Sequence, residues 1–233
     1  MKILVEVCAQ SYISAVTAEQ AKADRIELCA ALEVGGLTPS VSLILAVQRD
    51  LTIPVCVLVR PRAGDFCYTI EEFEIIKNDV IWCRDNGIDG VVVGCLDENN
   101  ELDEVKMKAL ARLAYPMEVV CHKAFDRTPN PSVSLGKLIN WGYDRVLTSG
   151  GAKNVAEGTP ILKKLVTQAA DRIEILAGGS VRSNNVLGLV QATGVAQVHA
   201  SANKFYADKN CSETDLEEVK KIICNLSNQS HIA

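Results

Sequence analysis

Eight times along the chain a short apolar run is followed by a segment of helical character, and no other feature constrains the fold as strongly. The strand-like runs cover residues 3–8, 25–29, 54–60, 90–95, 117–122, 145–148, 173–176 and 196–199. Helices are expected over 12–23, after Pro39-Ser40, over 70–86 and 103–114, from Pro131 to Trp141-Gly142, and over 160–170, 184–193 and 213–226. The strand runs are apolar at successive positions, as parallel strands covered on both faces by helices require. Eight such units in 233 residues predict an α/β fold, a (β/α)₈ barrel forming a single domain over 1–233. A doubly wound sheet would favour one dominant glycine-rich loop after strand 1. Here that loop reads Cys8-Ala9-Gln10-Ser11, without glycine. The tail over 227–233, which holds His231, is expected to fray and to carry no role.

Charge narrows the partners. A net charge of −5 leaves no basic surplus for phosphate neutralisation, so nucleic-acid binding is not expected. No apolar run is long enough to span a membrane. The chain enters its first strand with no signal-peptide pattern, which predicts a cytoplasmic protein. Nine cysteines are spread along it without a Cys-x-x-Cys pair, so zinc-ribbon and thioredoxin-type motifs are absent. Most of these cysteines are expected to be small core residues.

In barrels of this kind the active site is built at the C-terminal ends of the strands. The unusual polar residues gather there. Strands 1 and 2 end in an echoed triplet, Glu6-Val7-Cys8 and Glu27-Leu28-Cys29. Alternation puts each glutamate on the same face as the cysteine two residues on. Strand 3 ends in Arg60, with Arg62 and Asp65 in its loop. Strand 5 ends in His122, followed by Lys123, Asp126 and Arg127. Strand 6 ends in Thr148 and Ser149, and strand 8 in His199 and Ser201.

Three chemistries are open to this set. Thiols on neighbouring strands, about 4.8 Å apart, suit a shared Cu(I) ion or a disulfide under oxidation. Glu6, Glu27, His122 and His199 suit acid–base work or a divalent metal. Arg60 and Arg62 suit a small anionic ligand, or else neutralise Glu6, Glu27 or Asp65. Gly178, Gly179 and Ser180, with Ser201, are a candidate anion pocket ahead of helix 7; the same glycines would equally serve turn geometry.

Longer stretches carry a resemblance. They include Ala23-Asp24-Arg25-Ile26-Glu27-Leu28-Cys29, Gly35-Gly36-Leu37-Thr38-Pro39-Ser40, Val59-Arg60-Pro61-Arg62-Ala63-Gly64-Asp65-Phe66, His122-Lys123-Ala124-Phe125-Asp126, Leu147-Thr148-Ser149-Gly150 and His199-Ala200-Ser201-Ala202. Over about residues 4–202 the chain resembles the CutC family of copper homeostasis proteins. The resemblance implies a cytosolic TIM barrel that forms a homo-oligomer, a dimer or tetramer. It also implies a role in copper handling, with Cu(I) held by Cys8 and Cys29. The alternative expectation is a barrel enzyme acting on a small anionic, phosphorylated or sugar-like substrate through the glutamates and histidines.

Overall fold

The computed structural model describes residues 2–207 and 210–227; the tail beyond 227, His231 included, lies outside them. Eight parallel strands close into one barrel: β1 (Leu4–Ala9), β2 (Arg25–Leu28), β3 (Val55–Leu58), β4 (Gly90–Val93), β5 (Glu118–Cys121), β6 (Arg145–Thr148), β7 (Glu174–Gly178) and β8 (Gln197–Ala200). Seven helices alternate with them: α1 (Tyr12–Gln20), α2 (Val41–Asp50), α3 (Ile70–Asp85), α4 (Glu104–Ala114), α5 (Pro131–Trp141), α6 (Val155–Ala169) and α7 (Val186–Thr193). Strand β8 leads into a hairpin, β9 (Asn203–Tyr206) with β10 (Cys211–Thr214), and then into α8 (Leu216–Ser227). The architecture is a (β/α)₈ TIM barrel, and no described helix is long and apolar enough to cross a membrane.

Local chemistry sets the helix starts. Ser11, Ser40, Asp103, Asn130 and Asn154 each accept a backbone N–H of the first turn, and Thr69 forms a reciprocal capping box with Glu72. The cap at Asn154 explains why α6 starts five residues before the expected residue 160. Pro160 lies inside that helix instead of opening it. The expected start of the last helix at residue 213 is also displaced, because Glu213 and Thr214 pair in the hairpin. That hairpin has four residues a side and no alternation of burial, β9 being exposed at its two central positions and β10 half-buried over its first three, so it is too short and too polar to stand out as strands.

Alternation along each strand separates two cores. Val5, Val7, Ile26, Leu28, Val57 and Val91 face the helices in the larger one. Cys8, Cys29, Cys56, Leu58, Val92 and Val120 fill the barrel interior in a small second cluster. Below that plug lies a polar layer in which Arg25 pairs with Glu6 and donates to Gln197 Oε1 at 2.9 Å. Arg145 there reaches Glu118 and the Cys56 sulfur. Above the plug the barrel opens.

Glycine makes the room for what sits above. A Cβ on Gly94 would lie 2.5 Å from the His122 ring, and one on Gly178 would lie 2.5 Å from Leu147 Cδ1 and 3.1 Å from His199 Cβ. On the outside, α6 packs so tightly on the loop after β6 that a Cβ on Gly158 would fall 1.7 Å from the Ser149 carbonyl oxygen.

Candidate functional site

The two echoed triplets do not lie side by side. In the register of β1 against β2, Glu6 faces Arg25 and Cys8 faces Glu27. The second triplet is therefore shifted up by two residues, which keeps both on the interior face. Cys29, just past the end of β2, still brings its sulfur to 3.6 Å from that of Cys8. The Cys8 sulfur also lies 3.7 Å from Glu27 Oε1, while Glu27 Oε2 is buried without a partner among the described residues. The thiol hydrogen bond to Cys29, burial, and the nearby Glu27 carboxylate all push the Cys8 thiol well above its ordinary range.

Next to them stands His199. Its Nδ1 lies 2.7 Å from Glu6 Oε1, whose other oxygen takes the Arg25 guanidinium. Burial alone would raise Glu6, yet the His199 hydrogen bond and the Arg25 charge hold it down at about 2. Burial works against a charged His199, but Glu27 and Glu6 together raise its pKa. Burial and the Glu6 charge raise Glu27 in turn. Ligand atoms of Cys8, Glu27 and His199 all lie within 4.8 Å of one another.

His122 has a different character. Its Nδ1 accepts the Ala124 backbone N–H at 3.1 Å, so the neutral ring carries its proton on Nε2, which has no partner among the described residues. Burial, aided by the Arg60 charge, pushes its pKa down to about 3. The ring packs on Phe66 with centroids 4.8 Å apart.

The arginines are otherwise engaged. Arg60 gives Nη1 to the Val34 and Gly36 carbonyls and Nη2 to that of Gly64, at 2.9–3.0 Å. It clamps the loops after β2 and β3 together and pairs with neither glutamate. Its buried Nε has no hydrogen-bond partner among the described residues. Arg62 pairs with Glu72 and Asp65 and donates to the Cys67 carbonyl, tying its loop to α3. Gly178 belongs to β7 and is packed against Leu147 and His199. Helix α7 begins only at Val186, and its N-terminal neighbour Asn185 provides no side-chain cap. Ser201 lines a separate groove beside the hairpin, together with Gln10 and Arg182.

A cavity of about 190 Å³ connects Cys8, Glu27, His122 and His199 with apolar walls at Leu32, Leu58 and Leu147. Gly35, Arg60, Phe66 and Lys123 line both this cavity and an outer vestibule of about 560 Å³, whose rim carries Arg127 and Lys153. Lys123 Nζ donates to Ser149 Oγ at 2.9 Å and pairs with Asp126 at 3.1 Å. Asp126 is oriented by the hydroxyls of Thr148 and Ser149 and by the backbone N–H groups of Ser149 and Gly151. The sequence places Lys123 and Asp126 at the strand end without assigning them a role. Arg25 and Gln197 do not stand out in it, although Arg25 shares the parity of Glu27 along β2.

The model of the CutC family matches residues 3–204. A CutC family protein of Photorhabdus laumondii is 46% identical over 201 residues, 86% of this chain and 80% of the relative. The human copper homeostasis protein cutC homolog is 40% identical over 199 residues, 85% of this chain and 73% of the relative. Among solved structures, a CutC from Streptococcus agalactiae superposes with a TM-score of 0.82 at 34% identity, covering 85% of this chain and 98% of that one. N-(5'-phosphoribosyl)anthranilate isomerase from Pyrococcus furiosus, at 14% identity and a TM-score of 0.61 over 97% of this chain and 99% of its own, shares the barrel fold alone.

Proposed function

The chain belongs to the CutC family, and from that premise we propose that it binds Cu(I) through Cys8 and Cys29 and takes part in copper handling in the cytoplasm. The observation that carries this reading is the pair of sulfurs 3.6 Å apart, of which that of Cys8 belongs to a residue lining the inner cavity. Soft thiolates select Cu(I) over harder ions. With metal–sulfur bonds of about 2.3 Å, the zinc value, that spacing corresponds to a sulfur–metal–sulfur angle of roughly 100°. Two sulfurs so placed fit a bent centre that leaves a position open toward the cavity Cys8 lines. Binding would release the thiol protons. Family membership also favours a dimer or tetramer. On α2, Val41 and Leu45 lie one turn apart and are 47% and 46% exposed, an apolar face available to a second copy.

The test is an anaerobic Cu(I) titration against a competing chromophoric chelator. The wild-type chain is expected to take up one equivalent tightly, and Cys8→Ser/Cys29→Ser to lose it. Stoichiometric tight uptake by the double variant would sink the reading.

A second reading has its own support. The vestibule brings Lys123, Arg127 and Lys153 to the rim, and the last two make no ion pair among the described residues. Below them lie the unpaired Nε2–H of His122 and the Glu6–His199 pair. A small anion held at the rim would set its remaining atoms against a neutral hydrogen-bond donor and an acid–base pair. Calorimetry with inorganic phosphate and glycerol phosphate tests this. Binding is expected to weaken in Lys123→Gln, and the absence of binding in the wild type would remove the support.

A further inference from the structure

The Cys8–Cys29 pair leaves two mouth residues without a purpose. Among the described residues, Glu27 keeps one oxygen buried and unpartnered, and its other oxygen has only the long contact to Cys8. Leaving a buried acceptor unsatisfied costs on the order of 1–3 kcal/mol, more for a charged group. No cationic side chain pairs with Glu27 among the described residues, whereas Glu6 has both Arg25 and His199. A bound cation is the missing partner that this arrangement fits.

His199 is already set for such a role. With Nδ1 engaged by Glu6, its Nε2 is the ring nitrogen left for the cavity it lines. A metal-binding imidazole almost always donates its other N–H to a carboxylate, a backbone carbonyl or water, which fixes the ring and raises its basicity, and here the acceptor is a carboxylate. Here the carboxylate is itself fixed by Arg25, and Arg25 by Gln197. The chain of orientation thus runs from the buried polar layer up to the mouth.

We propose that Cys8, Glu27 and His199 form a divalent-cation site of the zinc type, opening on the inner cavity and sharing only Cys8 with the thiol pair. Their ligand atoms lie within 4.8 Å of one another. Donors around a tetrahedral ion with bonds of about 2.0–2.3 Å stand about 3.3–3.8 Å apart, so side-chain rotations of about an ångström complete the set. Sulfur and imidazole donors select zinc over magnesium, which requires six oxygen-rich positions. Three protein ligands leave the fourth position to the cavity, the arrangement of a reactive zinc centre and not of a closed structural one. The site stands apart from the Cu(I) reading, because it needs Glu27 and His199 but not Cys29. The two ions compete for Cys8.

Titration of the reduced, anaerobic full chain with Co²⁺ tests the proposal. One equivalent is expected to bind, with sulfur-to-cobalt charge transfer in the near ultraviolet and the visible bands of a four-coordinate ion, both removed by one equivalent of Zn²⁺. Glu27→Gln is expected to weaken Co²⁺ binding about a hundredfold or more while sparing Cu(I) uptake. Cys29→Ser is expected to do the reverse. A charge-transfer band that survives Glu27→Gln at unchanged affinity, or that disappears in Cys29→Ser, would overturn the site. A wild-type check needs no variant: Zn²⁺ is expected to raise the melting temperature and Mg²⁺ to leave it unchanged. No Zn²⁺-dependent rise would also overturn it. Failure of the copper reading would show differently, as tight Cu(I) uptake by the double cysteine variant.

Discussion

His122 makes the stability of the barrel sensitive to acid in a way that can be worked through. Its folded pKa is pushed from 6.5 down to about 3, first by burial and then by the Arg60 charge. Protonation of Nδ1 would in addition break the bond from the Ala124 N–H. Below pH 6.5 the unfolded chain takes up a proton here and the native chain does not. The unfolded state therefore binds more protons, and stability falls as pH falls, across the window from 6.5 to about 3. The limiting slope is about 1.4 kcal/mol per pH unit, so moving from about pH 7 to pH 5 costs about 2 kcal/mol at this residue and the whole window about 5 kcal/mol. Urea unfolding of the wild type and of His122→Asn at a series of pH values isolates the effect. Asparagine keeps an acceptor near the Nδ1 position, and the cavity it leaves costs the same at every pH, so it cancels from the slope. The variant is expected to lose less stability between pH 7 and 5 by about 2 kcal/mol. The chain has only three histidines, so a proton-detected titration of their rings can follow His122 directly. Equal slopes in the two proteins, or a His122 ring that titrates near 6.5, would refute the reasoning.

Two further outcomes follow from the packing. Glu6→Gln leaves Arg25 buried without its counter-charge and takes from His199 its charged partner; a loss of about 3–5 kcal/mol in chemical unfolding is expected, and less than about 1 kcal/mol would show that the pair does not hold the layer. Gly158→Ala would force a Cβ to 1.7 Å from a backbone carbonyl; it is expected to cost about 3 kcal/mol or more, while Gly136→Ala, on α5 with nothing within 4 Å of the new atom, is expected to be neutral or stabilising by thermal melting.

Much of the barrel is legible in the chain because parallel strands buried on both faces leave continuous apolar runs, and the helices between them open on Ser, Thr, Asp or Asn caps. Parity along a strand was equally legible, so Cys8, Glu27 and Cys29 could be placed on the interior face. Height was not. Alternation says which face a side chain takes, whereas the stagger between strands is set by closure of the whole barrel. For that reason the echo of Glu6-Val7-Cys8 and Glu27-Leu28-Cys29 suggested level pairs, while the register sets Cys8 against Glu27. The arginines were illegible for another cause. A guanidinium reaches several ångströms from its Cα, and Arg60 spends its donors on loop carbonyls whose positions no local pattern announces. Gly178 illustrates the same limit: it was visible as a glycine, but its service to the His199 ring depends on a neighbouring strand.

The seam between β1 and β8 has a consequence for how the chain is made. Leu4 to Val7 pair with Gln197 to Ala200, so the first strand of the barrel to be synthesised waits for the eighth. Until then it presents an open edge, which other chains could extend. The hairpin that follows β8 fastens the junction as soon as it arrives: Gln10 donates to the Ser212 carbonyl, and Glu213 accepts the hydroxyls of Ser11 and Ser14. Release of a nascent chain stalled before residue 203 would therefore yield a protein with every barrel strand synthesised but its closing joint unlatched, and co-translational chaperones would meet that edge for most of the time of synthesis.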